Sequence, residues 1–446
     1  MKTNKLSFIN LLPPRGEVGR GAIWLFLELI VITVVAWVVI DPAVVNLYYR
    51  NIPVGYDTDR LVYAEGKALY NGTVDHDAWE AKDCLQGLMN RLKAVDGVEN
   101  TTYYQNPYTS ISSKFPASEV LCYEQDTIYM PKVAFTPDCH FFETYGLRPL
   151  PGSPSVEELS KIDEKSGQVV LSESGAKALF GTAKGVVGRR FQMVNLWNQE
   201  KQDLTVAGVV ADVQRLRYYS IRSSIYRQDD AGHSACLIIR LKKGTDPAKY
   251  LEEHARDIHE AAKTSYFRIN KIMPYEEFIH QEELEDRVPQ EVNTNVTLAV
   301  FFLLNLCLAV IGTVWLQAKR RTEECGVRRA YGATRLRLLL SFLAEGTLMA
   351  TIAVVIGCII YLNYAHSGYA TDVVNGKVVY EQFNMYQPSY NAAPVFDQTW
   401  VDHFWPHFLI VSGVVYIIIL CTVLIGTAIP ALKIINTRIT ESLREE

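Results

Sequence analysis

The residues that could carry catalysis in this chain do not form a complete catalytic motif. The string GTAKG at residues 181–185 is nearest to a phosphate-binding loop, but it lacks the G-x-x-x-x-G-K-[ST] spacing that lets consecutive backbone amides bind phosphate oxygens. The string SESG at 172–175 lacks the glycine that precedes the serine in a nucleophile elbow. His254 and His259 are five residues apart on a predicted helix, so they lie on different faces and a zinc site is not expected. The sequence therefore predicts a non-catalytic chain without a cofactor of its own.

Two carboxylates, Glu28 and Glu345, lie within long apolar stretches. An ionised carboxylate in lipid is costly unless it is protonated, paired or turned toward another helix. Further acids do not accompany these two as a ladder. We therefore interpret both as membrane-embedded side chains that reach the headgroup region or bond a neighbouring helix, rather than as a proton or ion relay.

Four apolar stretches define the elements that must position the remaining residues. They lie at about residues 22–40, 297–316, 338–362 and 408–429. At about 1.5 Å per residue, each is long enough to cross a hydrocarbon core of about 30 Å. The predicted fold class is an α-helical membrane protein with four transmembrane helices in a 1+3 layout, plus a large extracytoplasmic mixed α/β (α+β) domain at residues 41–296.

Basic residues flank the spans unevenly, and they predict the orientation because lysine and arginine near membrane ends are retained in the cytoplasm. They are concentrated in the leader at 1–21, the segment at 317–337 and the tail at 430–446, whereas the loop at 363–407 has Lys377 alone. Both termini and the 317–337 segment are therefore expected to be cytoplasmic, with the large domain and the 363–407 loop outside a plasma (inner) membrane. The first span lacks a small-residue cleavage site and is expected to remain as an anchor.

Composition excludes little beyond this. The net charge of −5 gives no support to nucleic-acid binding. In the outer domain Cys84, Cys122, Cys139 and Cys236 could form disulfides. Four cysteines allow three pairings, and although Cys122 and Cys139 could close a modest loop, the sequence does not choose among them.

The outer domain is predicted to alternate short strands and helices. The first predicted helix follows Asp77 and has apolar positions Leu85, Leu88, Met89 and Leu92. The second runs from 173 to 180, between the cap Ser172 and Gly181. The third runs from Asp246-Pro247 to about Lys263. The predicted strands include residues 169–171, 204–210 and 236–241. Residues 152–167 are expected to form an exposed insertion. Residues 275–286 are expected to couple the domain to the second span, with Pro289 interrupting between them.

The segment between the second and third spans has an unusual composition. It contains Glu324, Gly326, Arg328, Arg329, Gly332 and Ala333 in the order E-x-G-x-R-R-A-x-G-A. Each glycine costs about 1 kcal/mol if it is helical, so the glycines favour a turn or close approach to another surface. Composition alone favours a solvated cytoplasmic loop.

The order of these residues resembles the cytoplasmic segment of FtsX-domain permeases, the type VII or MacB-like ABC transporter family. Residues 141–152, 169–181 and 206–212 are similar to the family's periplasmic core domain, and residues 429–431 and 441–444 are similar to its ending. Cys325 and Tyr331 depart from the small aliphatic or long apolar residues usual at their positions. This departure concerns the partner's identity more than the family.

The resemblance implies a stand-alone permease subunit that uses a separate ABC ATPase, which binds ATP and Mg, to extrude periplasmic substrates. It also implies a second permease chain, identical or different, and contact with membrane lipid. The segment at 317–337 would form the coupling helix: Arg328 and Arg329 would contact the ATPase, Gly326, Gly332 and Ala333 would lie at the close approach, and Glu324 would bond at the rim.

Several alternatives stay open at this point. The chain could regulate a cell-wall hydrolase, release lipoproteins or, less in keeping with its short cytoplasmic segments, sense a ligand. Whether a periplasmic adaptor and an outer-membrane channel join the assembly is also open.

Overall fold

The computed structural model describes residues 17–70, 73–74, 81–104, 109–113, 117–137, 139–162, 166–194, 200–214, 223–228, 235–264, 267–285, 288–320, 322–366, 393–394, 400–401 and 403–436. The chain forms two compact units. The helical unit comprises residues 1–47, 290–374 and 403–446, and the strand-rich unit comprises residues 48–289 and 375–402.

The described helices, in chain order, are α1 (Glu17–Asn51), α2 (Ala81–Lys93), α3 (Phe141–Tyr145), α4 (Val156–Leu159), α5 (Glu173–Phe180), α6 (Pro247–Ala262), α7 (Tyr275–Glu285), α8 (Val288–Arg320), α9 (Thr322–Ala330), α10 (Arg335–His366) and α11 (Phe404–Asn436). The described strands are β1 (Leu61–Tyr70), β2 (Thr73–Val74), β3 (Val98–Tyr104), β4 (Ser118–Tyr123), β5 (Asp126–Phe135), β6 (Gln168–Ser172), β7 (Arg190–Val194), β8 (Lys201–Val210), β9 (Ile225–Gln228), β10 (Ala235–Leu241), β11 (Phe267–Pro274) and β12 (Ala393–Pro394).

Four helices are long and apolar enough to cross a membrane. The qualifying segments are Ile23–Asn51 of α1, Val292–Thr313 of α8, Arg335–Asn363 of α10 and Phe404–Lys433 of α11. The helices extend past the predicted spans at both ends, because hydropathy falls at polar residues where the backbone helix continues. In α1, for example, the helix continues through Asp41 and Pro42 and buries Val45 and Tyr49 in its last turns.

Small residues allow α10 to pack closely against its neighbours in the helical unit. A Cβ atom on Gly357 would lie 2.6 Å from the Cβ of Thr33 on α1. A Cβ on Gly346 would lie 3.1 Å from the Oγ1 of Thr427 on α11. Close approach at small residues is a usual way for apolar helices to associate in a membrane.

A five-stranded antiparallel sheet forms one part of the strand-rich unit. Its order is β11-β1-β10-β3, with β2 paired to β1. Helices α2 and α6 pack on it through Leu88, Leu92, Tyr250 and Ile258, which share one core with Ile239 of β10. The predicted helices here are confirmed: α6 begins with Pro247, and the Asp246 side chain accepts a hydrogen bond from the Ala248 amide at 3.0 Å. Asp77 and the side chain of Leu85 lie outside the described residues.

A seven-stranded sheet forms the other part. Its order is β12-β5-β4-β7-β8-β6-β9, and β5 also pairs with β9, so the sheet closes on itself. Helix α5 packs against this sheet. Its predicted start and end are confirmed, because the Ser172 hydroxyl accepts from the Gly175 amide at 3.1 Å and Gly181 takes a left-handed conformation at the end.

The prediction that residues 152–167 form an exposed insertion is wrong. The segment contains α4, whose start is held by a capping box between Ser155 and Glu158, and it buries Leu159 and Ile162. Gly208 of β8 makes room for Leu159, since a Cβ there would lie 2.7 Å from Leu159 Cδ2. Val156 packs against the same core, so apolar residues spaced three apart hold a segment of otherwise polar composition on the domain.

One further expectation is corrected in this region. Pro289 lies in the first turn of α8 rather than interrupting the chain before it, which is the helical position where a proline loses no hydrogen bond. The sequence leaves the pairing of the outer cysteines open, and in the described part of the chain Cys122, Cys139 and Cys236 are not joined in a disulfide. Cys236 is buried beside the Tyr63 hydroxyl, and burial raises the pKa of its thiol to about 11. The side chain of Cys84 lies outside the described residues.

Replacement of Gly357 by alanine should destabilise the helical unit, because the added methyl group overlaps Thr33. Overpacking of this kind costs about 1–3 kcal/mol, which should lower the Tm of the detergent-solubilised protein by several degrees. Gly413→Ala on α11 is the matched control, since no described atom lies within 4 Å of a Cβ at that position. Equal Tm values for the two variants would show that α1 and α10 do not meet at Gly357.

Candidate functional site

The segment between α8 and α10 folds as a short helix followed by a tight turn. At the end of α9 the amides of Gly332 and Ala333 donate to the carbonyl oxygens of Arg329 and Arg328, each at 3.0 Å. Gly332 has a φ of +91°, a backbone conformation that side-chain-bearing residues rarely adopt. Thr334 then caps α10, because its Oγ1 accepts from the Arg337 amide at 3.3 Å. These bonds determine how α9 leads into α10.

The same segment is attached to the end of α11. Leu338 of α10 forms a small apolar core with Ala431 and Ile435 of α11, and Ala333 packs against it. The Arg329 Nη1 donates to the carbonyl oxygen of Ile435 at 2.9 Å. Ile435 is in the last turn of α11, where carbonyl groups lack helical partners and the helix dipole favours a cation. The guanidinium therefore caps α11 and ties α9 to it.

The opposite side of this segment is exposed. Tyr331 is 90% exposed, Leu336 is 64% exposed and Val327 is 45% exposed. Arg328, Arg335 and Arg337 are exposed beside them in the chain. We refer to these six residues as the docking face: Val327, Arg328, Tyr331, Arg335, Leu336 and Arg337. An aromatic ring and apolar side chains among guanidinium groups form a surface typical of protein recognition.

The structure separates residues that the sequence groups together. Arg328 is exposed, whereas Arg329 is half-buried and bonded within its own chain. Gly326 is buried, so the close approach that it permits is to this chain. Ala333 is half-buried against the α11 core, and the Glu324 side chain lies outside the described residues. The sequence analysis did not predict the apolar residues of the docking face as site residues. Tyr331 next to Gly332 in an arginine-rich segment could have indicated them.

The membrane-embedded acids and the histidines are placed as follows. Glu28 is half-buried on α1, and Glu345 is exposed on α10. His254 is 3.2 Å from Asp257 on α6. Within the described part of the chain, His, Cys, Asp and Glu side chains do not gather in a group of three or more that could hold a metal ion.

A second region of interest is the junction where α1 enters the strand-rich unit. Gln214, which follows β8, donates from its side chain to the carbonyl of Tyr49 at 3.2 Å and from its backbone amide to the carbonyl of Val54 at 2.8 Å. Gly55 has a φ of +86°, and a Cβ there would lie 2.2 Å from the carbonyl oxygen of Asp212. The residues after α1 are thus bound to the seven-stranded sheet.

The junction is also bound to the five-stranded sheet through charged groups. Asp57 forms an ion pair with Arg240 of β10, and Arg60 lies 3.1 Å from Asp57 and 2.9 Å from Glu99 of β3. Arg240 also donates to the carbonyl of Thr144 at 2.9 Å, and the Asp57 amide donates to the carbonyl of Tyr145 at 2.9 Å. Both sheets are therefore fastened to the end of α1 within about ten residues of chain.

Arg329→Ala should loosen α9 from the end of α11, because it removes a charged donor from a helix-terminal carbonyl. A hydrogen bond of this type is worth about 1.5–3 kcal/mol when buried, and less here because the arginine is partly exposed. Amide hydrogen exchange of residues 322–334 should therefore accelerate, while that of the strand-rich unit stays unchanged. Arg337→Ala is the control, because that side chain is exposed on the docking face. Identical exchange in the two variants would contradict the capping role of Arg329.

Comparison with known proteins identifies the family of this chain. Residues 44–256 match the model of the MacB-like periplasmic core domain, and residues 296–439 match the model of the FtsX-like permease C-terminal region. The macrolide export ATP-binding/permease protein MacB of Aggregatibacter actinomycetemcomitans is 26% identical over an alignment of 239 positions that covers 49% of this chain and 33% of that relative. The match thus spans about a third of the relative's length.

Among solved structures, the periplasmic region of MacB from Actinobacillus actinomycetemcomitans aligns with 51% of this chain and 94% of its own, at 14% identity and a TM-score of 0.30. The two family models together cover most of the sequence, from the end of α1 to the end of α11. The chain belongs to the MacB-like, FtsX-domain permeases of ABC transporters, membrane-embedded proteins with a periplasmic domain.

Proposed function

We propose that this chain is a non-catalytic permease subunit that couples ATP hydrolysis by a separate ABC ATPase to motion of its periplasmic domain, and so exports periplasmic substrates. The observation that carries the proposal is the docking face, in which a 90% exposed tyrosine lies in the turn after α9, a helix that is bonded to α11 and leads into α10. The four apolar helices span the membrane once before and three times after the periplasmic domain. Both termini and the docking face lie in the cytoplasm.

The docking face suits a groove on an ATPase with an apolar floor and an acidic rim. Tyr331 and the apolar side chains would fill the groove, while Arg328 and its neighbours would pair with the rim. Tyrosine and arginine are the residues that most often dominate binding energy at protein interfaces. Because α9 and its turn are held in place by hydrogen bonds, little conformational entropy is lost on binding.

The predicted site residues divide into two roles in this proposal. Arg328 contacts the ATPase, and Glu324 bonds at the rim. Arg329, Gly326 and Ala333 hold α9 against this chain, and Gly332 supplies the left-handed turn. The supporting observation is the opposite exposure of Arg328 and Arg329 in a two-residue sequence.

Motion of the ATPase would reach the periplasmic domain through helices. The docking face is continuous with α10 and bonded to α11, and α1 ends in a junction that is fastened to both sheets. A second permease chain, identical or different, would pair with this one so that each holds one ATPase, which binds the ATP and Mg. Glu28 and Glu345 are proposed to serve helix contacts or headgroup contacts rather than ion movement.

Arg328→Glu and Tyr331→Ala should each weaken capture of the ATPase without changing membrane insertion. Truncation of a dominant interface residue costs on the order of 2 kcal/mol or more, which corresponds to about 30-fold weaker binding. The measurement is affinity purification of the intact chain in mild detergent, with copurifying proteins identified by mass spectrometry.

The matched control is Arg268→Glu, which reverses an exposed arginine of β11 in the strand-rich unit. Wild-type recovery of an ABC ATPase with both docking-face variants would contradict the proposed interface. Recovery of the ATPase together with a cell-wall hydrolase, and of no adaptor or outer-membrane channel, would instead support the regulatory alternative. Copurified lipoproteins would support lipoprotein release.

A further inference from the structure

The helical unit contains a buried acid–base pair that the proposed docking does not use. The Asp41 Oδ1 of α1 lies 2.5 Å from the His407 Nε2 of α11. Asp41 is 6% exposed and His407 is 8% exposed. His407 is in the first turn of α11, whereas Ile435, which receives Arg329, is in the last turn. The pair therefore lies about 40 Å from the docking face along α11, at roughly 1.5 Å per residue.

An aromatic cluster surrounds the pair and joins three helices. Trp37, one turn before Asp41 on α1, stacks on Tyr361 of α10 with ring centroids 4.0 Å apart. Its ring is also 5.7 Å from that of Phe408 and 6.2 Å from that of His407 on α11. The indole N–H donates to the Ser412 hydroxyl at 3.0 Å. The positions of α1, α10 and α11 are thus mutually determined at this end.

A polar pair restricts the relative position of α1 and α11 more strictly than apolar packing would. Burying two polar groups costs desolvation energy, and well-packed apolar residues often stabilise a structure as well or better. A hydrogen bond depends on both distance and angle. The bond at 2.5 Å is therefore lost when one helix slides or rotates by a small amount relative to the other. Apolar side chains tolerate such sliding more readily.

We propose that Asp41 and His407 are a positioning pair that holds α1 in register with α11, so that the two helices move as one body. This inference rests on the proposed function, in which the ATPase moves the docking face. The path would run from the docking face to α11 through Arg329, along α11 to His407, across to Asp41, and along the last turns of α1 to the junction at Tyr49–Asp57.

The link between the helices is tested first by a double-mutant cycle. Asp41→Asn, His407→Gln and the double variant are compared by thermal unfolding of the intact chain in mild detergent. His403→Gln is the control, because His403 is exposed and immediately precedes α11. Each single variant should lower the Tm by about 3–8 °C. The Tm of the double variant should be no lower than that of the less stable single variant, because both substitutions remove the same interaction. Additive losses, or losses no larger than that of His403→Gln, would overturn the link.

If the single variants fail to fold, the exchanged pair Asp41→His with His407→Asp should restore folding, and its failure to do so would overturn the link as well.

The positioning role is tested by hydrogen exchange of the ATPase-bound complex, with and without ATP and vanadate. In the wild type, exchange of residues 44–57 should change when the nucleotide is trapped. Asp41→Asn should lose at least half of that change while ATP hydrolysis continues. A merely structural role would lower the Tm and leave the nucleotide response intact, which would overturn the proposal. If no ATPase associates, the proposed function fails, whereas the double-mutant cycle still decides whether the pair links the helices.

Discussion

The arrangement of the docking face depends on one hydrogen bond, from Arg329 to the carbonyl oxygen of Ile435. In the proposed mechanism, this bond is where a force from the ATPase would enter α11. The turn into α10 and the apolar contacts of Ala333 also join α9 to the helical unit. The bond also satisfies a carbonyl at the end of α11, so one guanidinium both orders the docking face and completes a helix.

At the end of α1, hydrogen bonds and an ion pair attach the chain to the strand-rich unit. At the junction after α1, backbone carbonyls of Tyr49 and Val54 are bound by Gln214, while Asp57 is bound by Arg240. The neighbouring Gly146 leaves no room for a side chain, because a Cβ there would lie 2.9 Å from both Arg240 and Asp57. This contact gives a physical reason for the glycine in the FFETYG string at residues 141–146, whose aromatic residues fill the core between the two sheets.

Features that depend on local sequence were predictable, and those that depend on distant partners were not. The caps at Ser172 and Asp246, the helices they start and the apolar stretches follow from residues within one or two turns. The pairing of Asp41 with His407 joins residues 366 positions apart, and each residue looks like an ordinary polar flank of an apolar stretch. Arg328 and Arg329 are chemically identical neighbours, so their different exposure becomes visible only when the end of α11 is placed beside them. Leu159 and Ile162 were hidden by the polar composition around them.

The path of the chain is consistent with the proposal that α1 and α11 move together. The chain passes between the two units four times, after residues 47, 289, 374 and 402. The segment between the last two crossings adds the two-residue strand β12 to β5, and Trp400 packs edge-on against Tyr48 with ring centroids 5.0 Å apart. Tyr48 belongs to the last turn of α1, and Trp400 lies four residues before α11 begins. Because Tyr48 is on α1 and Trp400 is close to the start of α11 in the chain, helices held in register would help to keep this ring contact intact.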